Sequence, residues 1–230
     1  MKNKDLKIIL KENLSILNTG KNEVSIDIEG SCLYLKIFKE TEIGFFKVTA
    51  PFNLEYDVWL ALHVKIIEDI IGPILHKSTI MGGYTPIYAY TTNLMSIDRQ
   101  QYEATKITTE YVKTEEDVIA VLHQLNDYIE KVAEPFFEKW SDLRVLNDFI
   151  ETVPQKKIGE YFGQGATFRK ALIYKLCNNP KYDEYFNLLY SYYTERYQEN
   201  PNGDRSYKQW NDAVILLKEA LDNVEPIYNV

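Results

Sequence analysis

Val24-Ser-Ile-Asp-Ile-Glu29 and Leu33-Tyr-Leu-Lys-Ile-Phe38 alternate residue by residue, with Gly30 and Ser31 close to the middle. Val24, Ile26 and Ile28 alternate with Ser25, Asp27 and Glu29, while Leu33, Leu35 and Ile37 alternate with Tyr34, Lys36 and Phe38. A period of two places successive side chains on opposite faces of a strand. Ile43 to Val48 continues the pattern after a Lys39-Glu-Thr-Glu42 turn. The stretch predicts an antiparallel meander with one face packed and the other partly wet.

On the N-terminal side, Leu6, Ile9, Leu10, Leu14 and Leu17 are helically spaced, and Asn18-Thr-Gly20 supplies a stop. On the C-terminal side, Tyr56, Val58, Leu60 and Leu62 alternate, whereas Ile66, Ile67, Ile70, Ile71 and Ile74 have helical spacing. A strand feeding a helix near Val64 follows, with Gly72-Pro73 bending or ending it. A longer single helix is the alternative. His76 to Thr85 reads as a loop, and Pro86 to Met95 and Thr105 to Val112 as further strands, being β-branched and aromatic.

Helices dominate after that. Thr114-Glu-Glu-Asp117 is a capping box, and the helix it opens carries Val118, Leu122, Leu125, Ile129 and Val132. Glu134-Pro135 marks a kink, and Ser141-Asp-Leu starts a helix through Ile150. Further helices are expected over about 166–178, 180–198 and 206–223, with Asn179 and Ser206 as N-caps. The last two form an antiparallel hairpin, because only a short loop joins them. The predicted fold class is α+β: an antiparallel sheet of about five or six strands with packing helices, then an all-helical C-terminal lobe. The predicted domains are 1–153 and 154–230, the second packed on the first.

The order of elements carries a resemblance. An N-terminal helix and a meander precede His63-Val-Lys-Ile-Ile-Glu68 and the Thr114-Glu-Glu-Asp117 helix. Ala133-Glu-Pro-Phe-Phe-Glu-Lys-Trp-Ser-Asp-Leu143 and Ala171-Leu-Ile-Tyr-Lys-Leu-Cys-Asn-Asn-Pro180 follow. The chain resembles a bacterial family of uncharacterised proteins, a domain of unknown function, some of whose members are similar to immunity proteins. The resemblance implies a fold and a bacterial origin, and it brings no active-site residues.

Charge and composition exclude several classes. The chain of 230 residues has a formal net charge of −8, which repels phosphate backbones and argues against a nucleic-acid binder. No apolar run approaches the ~20 residues of a membrane span, and no signal-like segment opens the chain, so no membrane association and a cytoplasmic location are expected. Cys32 and Cys177 have no CxxC spacing and read as buried free thiols. His63, His76 and His123 lie in no HExxH or HxH pattern, so neither a metal nor a cofactor is expected. Gly159-Glu-Tyr-Phe-Gly163-Gln-Gly165 precedes a helix but lacks the Walker Lys-Ser/Thr, and reads as a connector.

Candidate site residues follow from charge and aromatic content. Residues 115–152 hold ten carboxylates against Lys131, Lys139 and Arg144. Residues 154–181 hold six cations against Glu160 alone. Either the two segments neutralise each other or are simply solvated faces, or the acidic face docks a basic protein through Glu116, Asp127, Glu130, Glu134 and Glu138. The helix over 180–198 carries Tyr182, Tyr185, Phe186, Tyr190, Tyr192, Tyr193 and Tyr197, too many for one stripe. Tyr190, Tyr193 and Tyr197 are the candidate partner contacts, since tyrosine brings a large area with few rotamers.

The reading favours a binding protein over an enzyme: a bacterial protein-binding module of immunity type that neutralises a toxin through its acidic helical face. The alternatives are a hydrolase acting near Asp27, His63 and Glu68, and a homo-oligomeric structural protein joined through the tyrosine helix.

Overall fold

The computed structural model describes the backbone except at residues 1–2, 18–22, 30–31, 42–43, 52–58, 82–89 and 108–111. Side chains are described except at those positions and at 3–4, 23–29, 32–41, 44–51 and 59. The side chains of Asp27 and Cys32, the Asn18-Thr-Gly20 stop and residues 86–89 of an expected strand therefore lie outside the described residues.

The chain divides into two compact units, each assembled from two segments. One takes Met1–His63 and Thr92–Lys139; the other takes Val64–Thr91 and Trp140–Val230. The sequence reading instead set a single divide near Val153.

In the first unit, α1 (Asn3–Asn13) runs into a 3-10 turn at Leu14–Ile16. The backbone then forms an antiparallel ladder from β1 (Glu23–Glu29) through β2 (Cys32–Thr41) and β3 (Gly44–Pro51) to β4 (Trp59–His63) and β5 (Thr92–Asn93), in that order. Register places Asp27 opposite Tyr34 and His63 opposite Phe45. Short helices α3 (Leu94–Ile97) and α4 (Arg99–Thr105) follow. Then come α5 (Glu115–Tyr128), a π-helical turn (Ile129–Ala133) and α6 (Glu134–Trp140). Leu6 and Leu10 of α1, Leu60 and Leu62 of β4, and Val118, Leu122 and Leu125 of α5 are buried.

The predicted fold class is corrected here. Of the residues described down to their side chains, 73% are helical and 3% lie in strands, and those strand residues form only a two-strand antiparallel sheet. The protein is mostly helical, with the backbone ladder confined to the first unit; it is not the predicted α+β fold built around a sheet of five or six strands. The physical reason is visible between 90 and 107. Among the described residues of the expected 86–95 strand, only Thr92 and Asn93 pair with β4. The Asn93 side chain then accepts the Ser96 N–H at 2.9 Å, and Asp98 accepts that of Gln101 at 3.0 Å. Each cap satisfies a free N–H group of a helix start, so α3 takes over from Leu94 and ends the expected strand early, and α4 follows at once from Arg99. In the other expected strand, 105–112, Thr105 ends α4, no strand forms at 106 or 107, and 108–111 lie outside the described residues.

The capping box at Thr114 forms in full. The Asp117 N–H donates to Thr114 Oγ1 at 3.2 Å, and Asp117 Oδ2 accepts the Thr114 N–H at 2.8 Å. The discontinuity at Pro135 is a change of helix type. Glu134 N–H reaches back five residues to the Ile129 carbonyl, immediately before a proline that has no N–H to give.

In the second unit, α2 (Lys65–Lys77) passes through Pro73 without ending there. It is joined by α7 (Leu143–Thr152), α8 (Ile158–Phe162), α9 (Ala166–Leu176), α10 (Tyr182–Glu199) and α11 (Arg205–Leu221). The caps differ from those expected. Asp142 accepts the Arg144 N–H at 2.9 Å, and Asp204, not Ser206, accepts at the start of α11, taking the Ser206 N–H at 2.8 Å. Asn179 accepts the Lys181 N–H at 2.9 Å, just ahead of α10.

Helix α9 is central to this unit. It contacts α2, α7, α8, α10 and α11. Phe168, Ala171, Leu172, Ile173, Tyr174 and Leu176 are buried, so the helix is apolar nearly all round. Its N-terminus sits tight against α2: Gly165 has φ +82°, and a Cβ there would lie 2.5 Å from Leu75 Cδ1. Only glycine meets both demands.

Candidate functional site

Two polar residues on α9 have no exposed face to occupy. Arg169 and Lys170 are both buried, and each has found a different solution. Arg169 donates through Nε to Glu68 Oε1 and through Nη2 to Glu68 Oε2, both at 2.8 Å. Its Nη1 donates to the Phe162 carbonyl at 3.0 Å and to the Gln164 carbonyl at 2.5 Å. Thr91 Oγ1 donates to Glu68 Oε1 at 2.9 Å while accepting the Val64 N–H at 3.0 Å. One network thus supplies a cap at the start of α2 and folds the 162–165 turn around a guanidinium. A two-point pairing of this kind is the strongest form of a side-chain ion pair.

Lys170 uses aromatic faces. Its Nζ lies 4.9 Å from the Tyr185 ring centroid and 5.2 Å from that of Tyr174. Burial holds its ammonium below the usual lysine range.

These facts bear on the hydrolase candidates. Glu68 is wholly inaccessible and has both oxygens engaged, while His63 ends β4 with 1% of its surface exposed. The two residues belong to different units, and the Asp27 side chain lies outside the described residues. Neither His63 nor Glu68 is open to a substrate. The Gly163–Gly165 turn directs the Phe162 and Gln164 carbonyls at a cation, the reverse of a phosphate cradle, which offers N–H groups. Among the described residues, no three His, Cys, Asp or Glu side chains gather as a metal site. Cys177 is buried, donates its thiol to the Leu143 carbonyl, and has its pKa pushed up to about 12 by burial.

The acidic candidates lie on α5, the π-turn and α6. Glu116, Asp127, Glu130 and Glu138 are exposed, and Glu134 is half-buried. Asp127 is occupied by Lys131 at 2.8 Å, and Glu130 accepts from Asn126 at 3.4 Å.

The tyrosines of α10 form a lattice. Tyr193 stacks on Trp210 of α11, with centroids 5.3 Å apart and planes 12° apart. The fully buried Phe168 meets both edge-on, at 5.9 Å and 5.5 Å. Above this floor, where α10 turns into α11, Arg196 sits between two rings, 5.5 Å from the Tyr192 centroid and 4.9 Å from that of Tyr207. It donates to the Tyr192 hydroxyl through Nη1 and to the Tyr207 hydroxyl, at 3.4 Å, through Nη2. The result is a cleft of about 330 Å³ lined by Tyr192, Tyr193, Arg196, Ser206, Tyr207 and Trp210. A second recess of about 430 Å³ shares the bracket, where Glu195, Glu199 and Asn200 join Tyr192, Arg196 and Tyr207.

Of the tyrosines singled out from the sequence, only Tyr193 lines this cleft. Tyr190 tilts against Phe186, and Tyr197 is half-buried outside it. Sequence reasoning missed Arg196, Ser206, Tyr207 and Trp210 as site residues. The available signals were the four-residue spacing of Tyr192 and Arg196 and the three-residue spacing of Tyr207 and Trp210, each of which sets two side chains on one helix face.

No family model, no curated protein and no solved structure matches the chain. Among the described residues, no helix is long and apolar enough to cross a membrane.

Proposed function

We propose that this protein is a protein-binding module whose contact surface is the aromatic cleft between α10 and α11. The observation that carries this reading is the bracket of Tyr192, Arg196 and Tyr207 over the Tyr193–Trp210 stack. Tyrosine, tryptophan and arginine dominate the few residues that supply most of the energy in protein interfaces. Here the rings are braced against a buried Phe168, so binding requires little further ordering of side chains. Tyr192 keeps 52% of its surface exposed, and Leu188, one turn earlier, keeps 65%. Apolar area that a partner would cover therefore continues along α10 beyond the cleft.

The test is site-specific photocrosslinking in cells of the source organism. A photoreactive phenylalanine at Tyr192 is expected to capture a discrete protein, and the same group at exposed Ile8 of α1 is expected not to. Identical patterns from the two positions, or no capture at Tyr192, would reject this surface as the binding site.

A further inference from the structure

The cleft has an imbalance of hydrogen-bonding groups. Arg196 offers five N–H donors and has no carboxylate partner among the described residues. The Ser206 hydroxyl is engaged by Asp204, but the Tyr192 and Tyr207 hydroxyls, each accepting from Arg196, keep their own protons to give. Among the described residues no carboxylate lines this cleft; Glu195 and Glu199 line the neighbouring recess. The cleft is thus rich in donors, carries one positive charge and has aromatic walls.

Building on the protein-binding reading, we propose that the cleft takes an aspartate or glutamate side chain of a partner protein, flanked by an aromatic or large aliphatic residue. The carboxylate pairs with the Arg196 guanidinium, whose planar fork matches it. The flanking residue lies on the ring faces of Tyr207 and Trp210. Ring stacking on both sides holds Arg196 in place, which lowers the side-chain entropy lost on pairing.

The experiment is a random-peptide display selection on the immobilised 230-residue chain, counter-selected on the Arg196→Gln protein. Selected peptides are then titrated by fluorescence anisotropy, alongside versions in which Asp becomes Asn or Glu becomes Gln. Arg196 is exposed, so its variants should keep the wild-type circular dichroism spectrum. The expected result is a shared acidic residue beside an aromatic or aliphatic one. Neutralising that residue, or changing Arg196 to Gln or to Lys, should weaken binding about tenfold, one charge-assisted pair's worth.

Peptides without a carboxylate that bind Arg196→Gln equally well, but lose binding in Tyr207→Ala, would overturn this proposal and leave the protein-binding reading standing. Preference for a phosphoserine peptide over its Asp counterpart would overturn it too. Failure to enrich any peptide would reject a linear acidic ligand, while the crosslinking result separately decides whether the surface binds protein at all.

Discussion

Removing one charge from the Glu68–Arg169 pair takes from the other, which stays buried, its two-point partner. Glu68→Gln is expected to cost about 3–5 kcal/mol, read as a lower urea midpoint. Replacing both residues by Leu and Met removes the stranded charge, and in many proteins that is close to neutral. Here it should still destabilise, because the Phe162 and Gln164 carbonyls lose the Arg169 donor. A double variant as stable as wild type would show that the turn at 162–165 does not depend on the guanidinium. Cys177 gives a second check. With its pKa near 12, almost no thiolate exists at pH 8, so it should resist alkylation in the native protein and react once urea unfolds the chain. Peptide mass mapping distinguishes it from Cys32, and native-state labelling of Cys177 would contradict its placement.

At the scale of elements, α5 depends on the Thr114 box. Thr114→Ala should cost about 1 kcal/mol, measured by chemical denaturation. The Lys113 and Thr114 N–H groups bond the Asp117 carboxylate and hold its pKa below the usual value. A folded pKa below the unfolded one means that this contribution is fully present above the unfolded pKa and is lost as pH falls through the folded one. Wild type and Asp117→Asn should therefore converge in stability on acidification below pH 4, and an unchanged gap would refute the assignment. This box was legible from four letters because every group in it is local. The same holds for α11, expected over 206–223 and found at Arg205–Leu221, although its cap is Asp204. The strands expected after residue 86 were not legible in the same way: Asn93 and Asp98 are ordinary turn residues until their caps close on the next N–H groups. Arg169 and Lys170 looked like members of a solvated basic run. Their burial follows from α9 being surrounded, which its own sequence does not announce. The cleft was half visible, since tyrosine content flagged α10 while the α11 half waited on the geometry of the loop at 200–204.

For the whole molecule, the net charge of −8 works against an acidic ligand, while the local charge of the cleft works for it. The first acts on encounter and the second on residence. Glu130→Lys with Glu134→Lys moves the net charge from −8 to −4 on a unit that does not contain the cleft. The association rate of a selected acidic peptide should rise in 20 mM salt, with little change in its dissociation rate. The gain should vanish at 0.5 M, where screening extends over only a few ångströms. A changed dissociation rate would mean that the acidic helix touches the ligand itself.

The pairing of Glu68 with Arg169 spans 101 residues of chain. At about 5–20 residues per second of synthesis, Glu68 leaves the ribosome some 5–20 seconds before its counterion exists. During that interval Ile67, Ile71 and Leu75, all buried in the finished protein, have no α9 to cover them. The second unit therefore cannot be completed in the order in which it is made. The nascent chain carries an uncovered greasy helix with an acid in its first turn that still lacks Arg169, and this is the stretch a ribosome-associated chaperone would be expected to hold.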